Sequence, residues 1–527
     1  MAFFVPNTDS VFVVFTIALS ILMFYQYWAG AILYNLFFHP LAPIPGPLLW
    51  RTSRLCFIRS LISGRLVADV RQFHETYGDV VRTAPNEISF AREDAWHDVC
   101  NTRKDHKTLS RNDIWFKAPP GQPENLVTTV DASDSARMRQ VVGPAFTDRA
   151  LMRQESIIQA YSHLLMNKLM EKVESAGEPA VGAIVNVVDW INWFAFDSIG
   201  ELAVGESFGC LQGTKHHPWV QLLSTSLRVM ALAAATRYYT GLESALMSLV
   251  PVKLRRMQSD HYAMALEKIQ RRMSSQVARP DFMSYILEHN PGFEKMSQQE
   301  VESTLSLLLI VGSETTATAL CGALRYLTQC PDELKKLEQE VRHRFDKETD
   351  ITLRALQELP FLNAVISETL RLCNPVAGGI MRVVPRGGVT VCEYSLPEGT
   401  HVTLNPVAMS LSETNFYRAK EFLPDRFLCR GKRPSLFDND VRGTQKPFGL
   451  GSRSCLGKPL AMAEMRLILA RLVWNFEISR APGNYTEWSE LKTFVMVQKE
   501  PGAWFTIPQG VSTRAQTPVE DPKPSCT

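Results

Sequence analysis

Between Ser10 and Trp50 the chain has no lysine, arginine, aspartate or glutamate. That gap excludes an ordinary solvated segment. The run from Val11 to Phe38, interrupted only by Gln26 and Asn35 as strongly polar residues, is long enough to span a bilayer, which needs about 20 apolar residues. The N-terminus also lacks the basic stretch of a cleaved signal peptide: Asp9 precedes the run, whereas Arg51, Arg54, Arg59 and Arg65 follow it. This asymmetry predicts a lumenal N-terminus and a cytosolic remainder. The ten cysteines include no Cys-x-x-Cys and no paired spacing, which argues against a disulfide framework and for a reducing compartment. The eleven histidines contain no His-x-x-x-His, so no zinc site competes for attention. Net charge is nearly absent, 56 lysines and arginines against 54 acids, and with it any polyanion signal; nucleic acid is not expected as a partner. No glycine-rich phosphate loop follows a strand, so the chain does not look built to bind NADPH itself. No internal repeat is visible.

Helical periodicity covers most of residues 130 to 345, including Asn186 to Gly205 and Asp332 to Phe345. Strand-like pieces are few: 80–83, 87–90, 388–391 and 401–404. The fold class is therefore mainly α with small β-sheets. Pro40, Pro43, Pro45 and Pro47 with Gly46 predict a stiff, non-helical hinge after the membrane run. The reading divides the chain into a lumenal N-terminus and transmembrane anchor (1–38), a Pro-rich hinge (39–50), a catalytic domain (51–511) and a disordered tail (512–527). Asn484-Tyr485-Thr486 is a glycosylation sequon that would go unused on the cytosolic side.

The most specific signal is Phe448-Gly449-Leu450-Gly451-Ser452-Arg453-Ser454-Cys455-Leu456-Gly457, a Phe-x-x-Gly-x-Arg-x-Cys-x-Gly loop. A single cysteine in a glycine-rich turn is ordinarily structural, but each fixed position here has a task if Cys455 binds a haem iron as thiolate. Gly451 and Gly457 allow tight bends that aim amides at sulfur, Phe448 can shield it, and Arg453 can reach a propionate. The loop runs into a helical pattern from Lys458 whose N-terminal dipole would face the thiolate. A thiolate ligand favours O–O cleavage.

This loop resembles that of the cytochrome P450 family of haem-thiolate monooxygenases, and three further segments are similar to family motifs in the same order. They are Leu307 to Thr316, Glu368-Thr369-Leu370-Arg371, and Phe422-Leu423-Pro424-Asp425-Arg426-Phe427. The resemblance runs from the anchor to about residue 510. It implies the cytochrome P450 fold with one N-terminal transmembrane helix, and haem (heme, iron protoporphyrin IX) with Cys455 as axial ligand. It implies Glu314 and Thr315 as the acid–alcohol pair that delivers protons, with Gly312 loosening the helix beside them and Val311 where relatives carry a smaller residue. Arg139, Arg382 and Arg453 would hold the propionates; Ser135 stands where relatives have Trp or His. Glu368, Arg371 and Arg426 would form a buried charge network. Val311, Val376, Ala377, Gly378, Gly379 and Ile380 would line the substrate pocket, with 109–130 as a lid and 218–239 as a roof.

The implied function is insertion of one oxygen atom from dioxygen into a lipophilic small molecule. The likeness is greatest to fungal enzymes of specialised metabolism near the isotrichodermin-hydroxylase-like branch, which implies terpenoid, polyketide or alkaloid substrates. At 527 residues the chain leaves no room for a fused reductase, so electrons would come from NADPH through a separate NADPH-cytochrome P450 reductase, with cytochrome b5 as a further candidate donor. Between Arg430 and Lys458, seven cations face two acids, suiting an acidic partner as well as a plain solvated loop. The implied location is the endoplasmic reticulum membrane, single-pass, with the catalytic domain cytosolic. Two rivals stand beside this reading: a haem-thiolate isomerase or dehydratase without external electrons, and a haem sensor without catalysis.

Overall fold

The computed structural model describes residues 8–101, 109–119, 121–175, 183–214, 218–239, 241–248, 251–275, 277, 279–483, 486–499 and 504–507. The sequon at Asn484, the tail from 512 and the first seven residues lie outside them.

Helix limits follow local chemistry. Asn186 Oδ1 accepts the Val188 amide and Gly205 closes the same helix, Val187–Val204, in the left-handed conformation. Ser297 and Glu300 form a reciprocal capping box at the start of the longest helix, Gln298–Gln329. The Val187–Val204 helix is apolar nearly all round and packs along Gln298–Gln329 through the main core. Gly312 sits at their crossing: a Cβ there would lie 2.7 Å from Ile199 Cδ1. The close helix approach is a packing reason for glycine at this position.

Ten strands are described: β1 (Val80–Ala84), β2 (Glu87–Phe90), β3 (Ser110–Arg111), β4 (Ala183–Asn186), β5 (Ile380–Val383), β6 (Val389–Val391), β7 (Tyr394–Leu396), β8 (His401–Leu404), β9 (Ser479–Arg480) and β10 (Trp504–Ile507). They form a five-stranded sheet ordered β1-β2-β8-β5-β3, a three-stranded sheet β4-β10-β9 and the hairpin β6-β7. The five-stranded sheet is antiparallel except where β2 runs parallel to β8. Mainly helical architecture with small sheets is thus what the chain adopts.

Among the described residues two helical stretches are long and apolar enough to cross a membrane. Gln298–Gln329 is 72% buried and is a core helix, whereas Phe15–Phe38 has no buried share. The Pro-rich segment after it is not free. Leu41 and Ile44 are buried, Arg82 donates its amide to Pro45 O and its Nη1 to Asn35 O, and Gly46 packs on the Arg82 carbonyl. Residues 48–52 then form a short helix. The apolar run and the rest of the chain are joined through β1 by a hydrogen-bonded seam.

Candidate functional site

Cys455 ends the glycine-rich loop one turn before the helix Lys458–Asn475. Its amide donates to Phe448 O at 2.8 Å, closing the loop, and Phe448 is itself half-buried with Lys458 Nζ 5.9 Å from its ring. Gly451 has φ +77°, and a Cβ there would strike the Cys100 carbonyl at 2.3 Å, so both backbone shape and close approach require glycine. The residue is exposed, although protein encloses it on most sides. Burial pushes the thiol pKa up; the Gly457 amide, the Arg139 charge and the Lys458 amide oppose that. The helix N-terminus therefore supplies real donors to a sulfur anion.

Four arginines converge beside this loop. Arg453 donates to the carbonyls of Thr129, Val130 and Asp131, and Arg111 to those of Leu126 and Val127. Arg382 lies directly opposite Arg111 in the β3–β5 pairing, and Arg139 sits half-buried within electrostatic reach of Cys455. Desolvation lowers the pKa of Arg111 to about 9 and of Arg453 to about 10. Their like-charged neighbours Arg382 and Arg139 push both in the same direction. No carboxylate ion-pairs with any of the four among the described residues; Asp131 only acts on Arg453 from its main chain and at a distance. A desolvated group of like charges is costly unless an anion joins it. Arg111 was not singled out from the sequence. Its signal is the register that sets it against Arg382, which a linear reading does not reveal.

The helix Gln298–Gln329 borders the same region with a stripe that is only partly covered. Leu307, Ile310, Val311 and Thr315 are half-buried while Leu308, Leu309, Ser313, Glu314 and Thr316 are buried. Spacing of three and four residues places the stripe on one helix face. Thr315 Oγ1 donates to Val311 O at 2.7 Å, and Ser313 bonds back to Leu309 and Ile310. Glu314 accepts from Lys499 Nζ at 2.8 Å, and the same ammonium donates to Asn192 Oδ1 at 2.7 Å. Lys499 was missed from the sequence, being 185 residues distant from its partner. Thr316, next along, reaches Glu464, whose carboxyl is fully buried, bonded to Ser198 and pushed up to about 7 by desolvation.

Glu368, Arg371 and Arg426 meet with no side-chain exposure. Arg371 makes two 2.7 Å bonds to Glu368, and Arg426 Nε donates to Glu368 Oε1 at 3.2 Å. A fourth member, Asp440, accepts from Arg426 Nη1 at 2.7 Å. Arg371 further ties down the carbonyls of Ser410, Ala419 and Glu421, locking the chain that leads into the cysteine loop. Two acids of the 430–458 segment are thus already engaged, Asp438 with Arg433 and Asp440 inside the network. Of the expected pocket wall, Val376, Gly378, Gly379 and Ile380 are half-buried and Ala377 is buried. Gly379 has φ +85° and lies against Leu404 O, 2.2 Å from an added Cβ, so its place is fixed by the backbone.

These residues fit a haem. An exposed cysteine sulfur has amide donors beside it, four cations without a carboxylate ion pair among the described residues match two propionates, and a half-covered apolar helix stripe offers a face for a flat macrocycle.

The cytochrome P450 family profile matches residues 43–505. Similar curated proteins include cytochrome P450 monooxygenase astA of Talaromyces wortmannii, 37% identical over 89% of this chain and 92% of that protein. Cytochrome P450 monooxygenase lcsI of Purpureocillium lilacinum is 36% identical over 92% of each. A versicolorin B desaturase of Dothistroma septosporum is 36% identical over 88% of each.

Proposed function

The chain belongs to the cytochrome P450 family, and from that premise we propose that it places one oxygen atom from dioxygen into a lipophilic small molecule of terpenoid, polyketide or alkaloid type. The other oxygen atom leaves as water, with two electrons from NADPH carried by a separate NADPH-cytochrome P450 reductase and two protons from the protein and solvent. Proteins similar to it include fungal cytochrome P450 monooxygenases and a versicolorin B desaturase. The observation that carries the reading is the group of arginines without a carboxylate ion pair among the described residues, Arg111, Arg139, Arg382 and Arg453, gathered beside the Cys455 loop. The apolar run Phe15–Phe38 supports a membrane anchor, proposed for the endoplasmic reticulum with the catalytic unit cytosolic.

Haem, when bound, supplies the oxidising centre, and a thiolate ligand donates electron density to it. Cys455 would give that ligand, with the Gly457 and Lys458 amides favouring its anionic form against the desolvation that raises the thiol pKa. The arginines bind the two propionates. Ile310 and Val311 on the helix stripe exclude water beside the substrate. Thr315 Oγ1 holds a proton that is now directed at Val311 O, and a rotation of χ1 redirects it away from the helix. The Glu314 carboxylate, steadied by Lys499, replenishes that proton.

The test is reconstitution of the full chain with reductase and NADPH against a library of apolar fungal metabolites. The reduced carbon monoxide complex should show the red-shifted Soret band of thiolate ligation, lost in Cys455→His. Products should gain one oxygen, or lose two hydrogens if the chain follows the relative named a desaturase. A normal band in Cys455→His overturns the ligand assignment, and turnover independent of NADPH favours the isomerase reading.

A further inference from the structure

Arg111 and Arg453 are aimed by the main chain of one short segment. The carbonyls of Leu126 and Val127 accept from Arg111, and those of Thr129, Val130 and Asp131 accept from Arg453. These carbonyls face the guanidiniums because the amides beside them are taken up on the other side. Asn125 takes them. Its Oδ1 accepts the amides of Val127 and Thr128 at 3.0 Å each, and its carbonyl accepts that of Thr129 at 2.9 Å. The Thr128 hydroxyl accepts the Asn125 amide in return at 2.9 Å, which closes the turn around one side chain.

Asn125 is itself fastened to the helix Gln298–Gln329. Its Nδ2 donates to Ser303 Oγ at 3.2 Å, and that hydroxyl donates to Pro123 O at 2.9 Å. Both residues are buried, and they are 178 positions apart in the chain. Ser313 and Thr315 on the same helix bond back to its own carbonyls, whereas Ser303 reaches out to another segment. Buried polar contacts of this kind hold one geometry, because any other leaves a desolvated group unpaired.

We propose, on the footing that the site holds haem, that Asn125 and Ser303 are positioning residues for it: they fix the rack of carbonyls that sets Arg111 and Arg453 for the two propionates. A guanidinium carries its donors in one rigid plane, so anchoring some of them directs the rest. Arg453 gives Nη1 and Nη2 to the rack and Arg111 gives Nη1, which fixes both planes. The two charges also repel each other, and the carbonyls between Leu126 and Asp131 hold them side by side against that repulsion. Through Ser303 the same rack is tied to the helix whose stripe carries Leu307, Val311 and Thr315. Propionate arginines and stripe therefore share one anchor.

The test separates the aim of the arginines from stability in general. The full chain, produced without haem, is loaded in detergent with protohaem or with its dimethyl ester, the same macrocycle with both carboxylates blocked. Loss of each into excess apomyoglobin is followed by the Soret band. The wild type should lose the ester faster than the free acid. A wild type without that preference overturns the assignment of the arginines to propionates, and the role of Asn125 and Ser303 with it. Ser303→Ala and Asn125→Leu should shrink the ratio of the two loss rates by roughly two- to tenfold, the scale of one misaimed hydrogen bond. Ser303→Thr, which keeps the hydroxyl, should restore the ratio. Thr328→Val removes a buried hydroxyl from the far end of the same helix and should leave the ratio as in the wild type. If Asn125→Leu misfolds, Ser303→Ala decides. Two results overturn the proposal: variants that shed both haems faster by one common factor, or a Thr328→Val ratio that shifts as far as that of Ser303→Ala.

Discussion

Lys499 holds Glu314 by one short bond and shares its ammonium with Asn192, both partners being nearly buried. If Glu314 feeds protons to Thr315, Lys499 is a positioning residue for that step. Lys499→Met is expected to leave substrate KM and the carbon monoxide spectrum close to wild type. It should lower kcat by roughly tenfold, below the 10²- to 10⁴-fold typical of losing a proton-transfer group outright. More NADPH should be lost to hydrogen peroxide per product, as in Thr315→Ala. Unchanged kcat and coupling leave Lys499 a structural role only. Glu464 makes a different prediction. Its folded pKa is about 7 against an ordinary 4.5, so between these values the native state holds a proton that the unfolded state has lost. Stability should therefore fall as pH rises from about 4.5 to 7 and stay reduced above. Glu464→Gln should flatten this segment of a denaturation-versus-pH curve, with a difference of at most about 3 kcal/mol at pH 8. Glu314, Thr315 and Cys455 are legible in the sequence because each sits in a compact motif. Lys499 and Arg111 carry no local mark, since what sets them in place is the residue folded against them.

Helices were readable where their ends carry chemistry. Asn186 and Gly205 bracket one, and the strands 87–90 and 401–404 stand at their observed limits because alternation and flanking turns agree. β5 was not readable: Ile380–Val383 is four residues long and owes its strand form to pairing with β8 and β3. That pairing also sets the task of Gly379. Its positive φ and the Leu404 carbonyl at 2.2 Å from an added Cβ leave no room for a side chain. Gly379→Val is expected to cost at least about 2 kcal/mol in chemical denaturation and to speed loss of the carbon monoxide band. A variant of unchanged stability that shifts only the site of oxidation would make this glycine a pocket residue instead.

At the scale of the molecule, Arg82 ties the end of the apolar run to β1 through Asn35 and Pro45. In sealed microsomes added protease should digest the catalytic unit, and deletion of residues 1–38 should release it from sodium carbonate-washed membranes. Protection of the unit from protease reverses the proposed topology. Membrane run, cysteine loop and helix-rich composition are determined by the sequence alone, because each is a property of neighbouring residues: hydropathy over one span, spacing within one turn, periodicity along one helix. The tertiary structure alone decides that four arginines gather beside one loop, that Glu314 is held by a lysine 185 residues away, and that the sheet's polar face lies under an apolar roof. A strand's alternation fixes which residues share a face, but only the elements folded over that face determine whether it meets water, core or ligand.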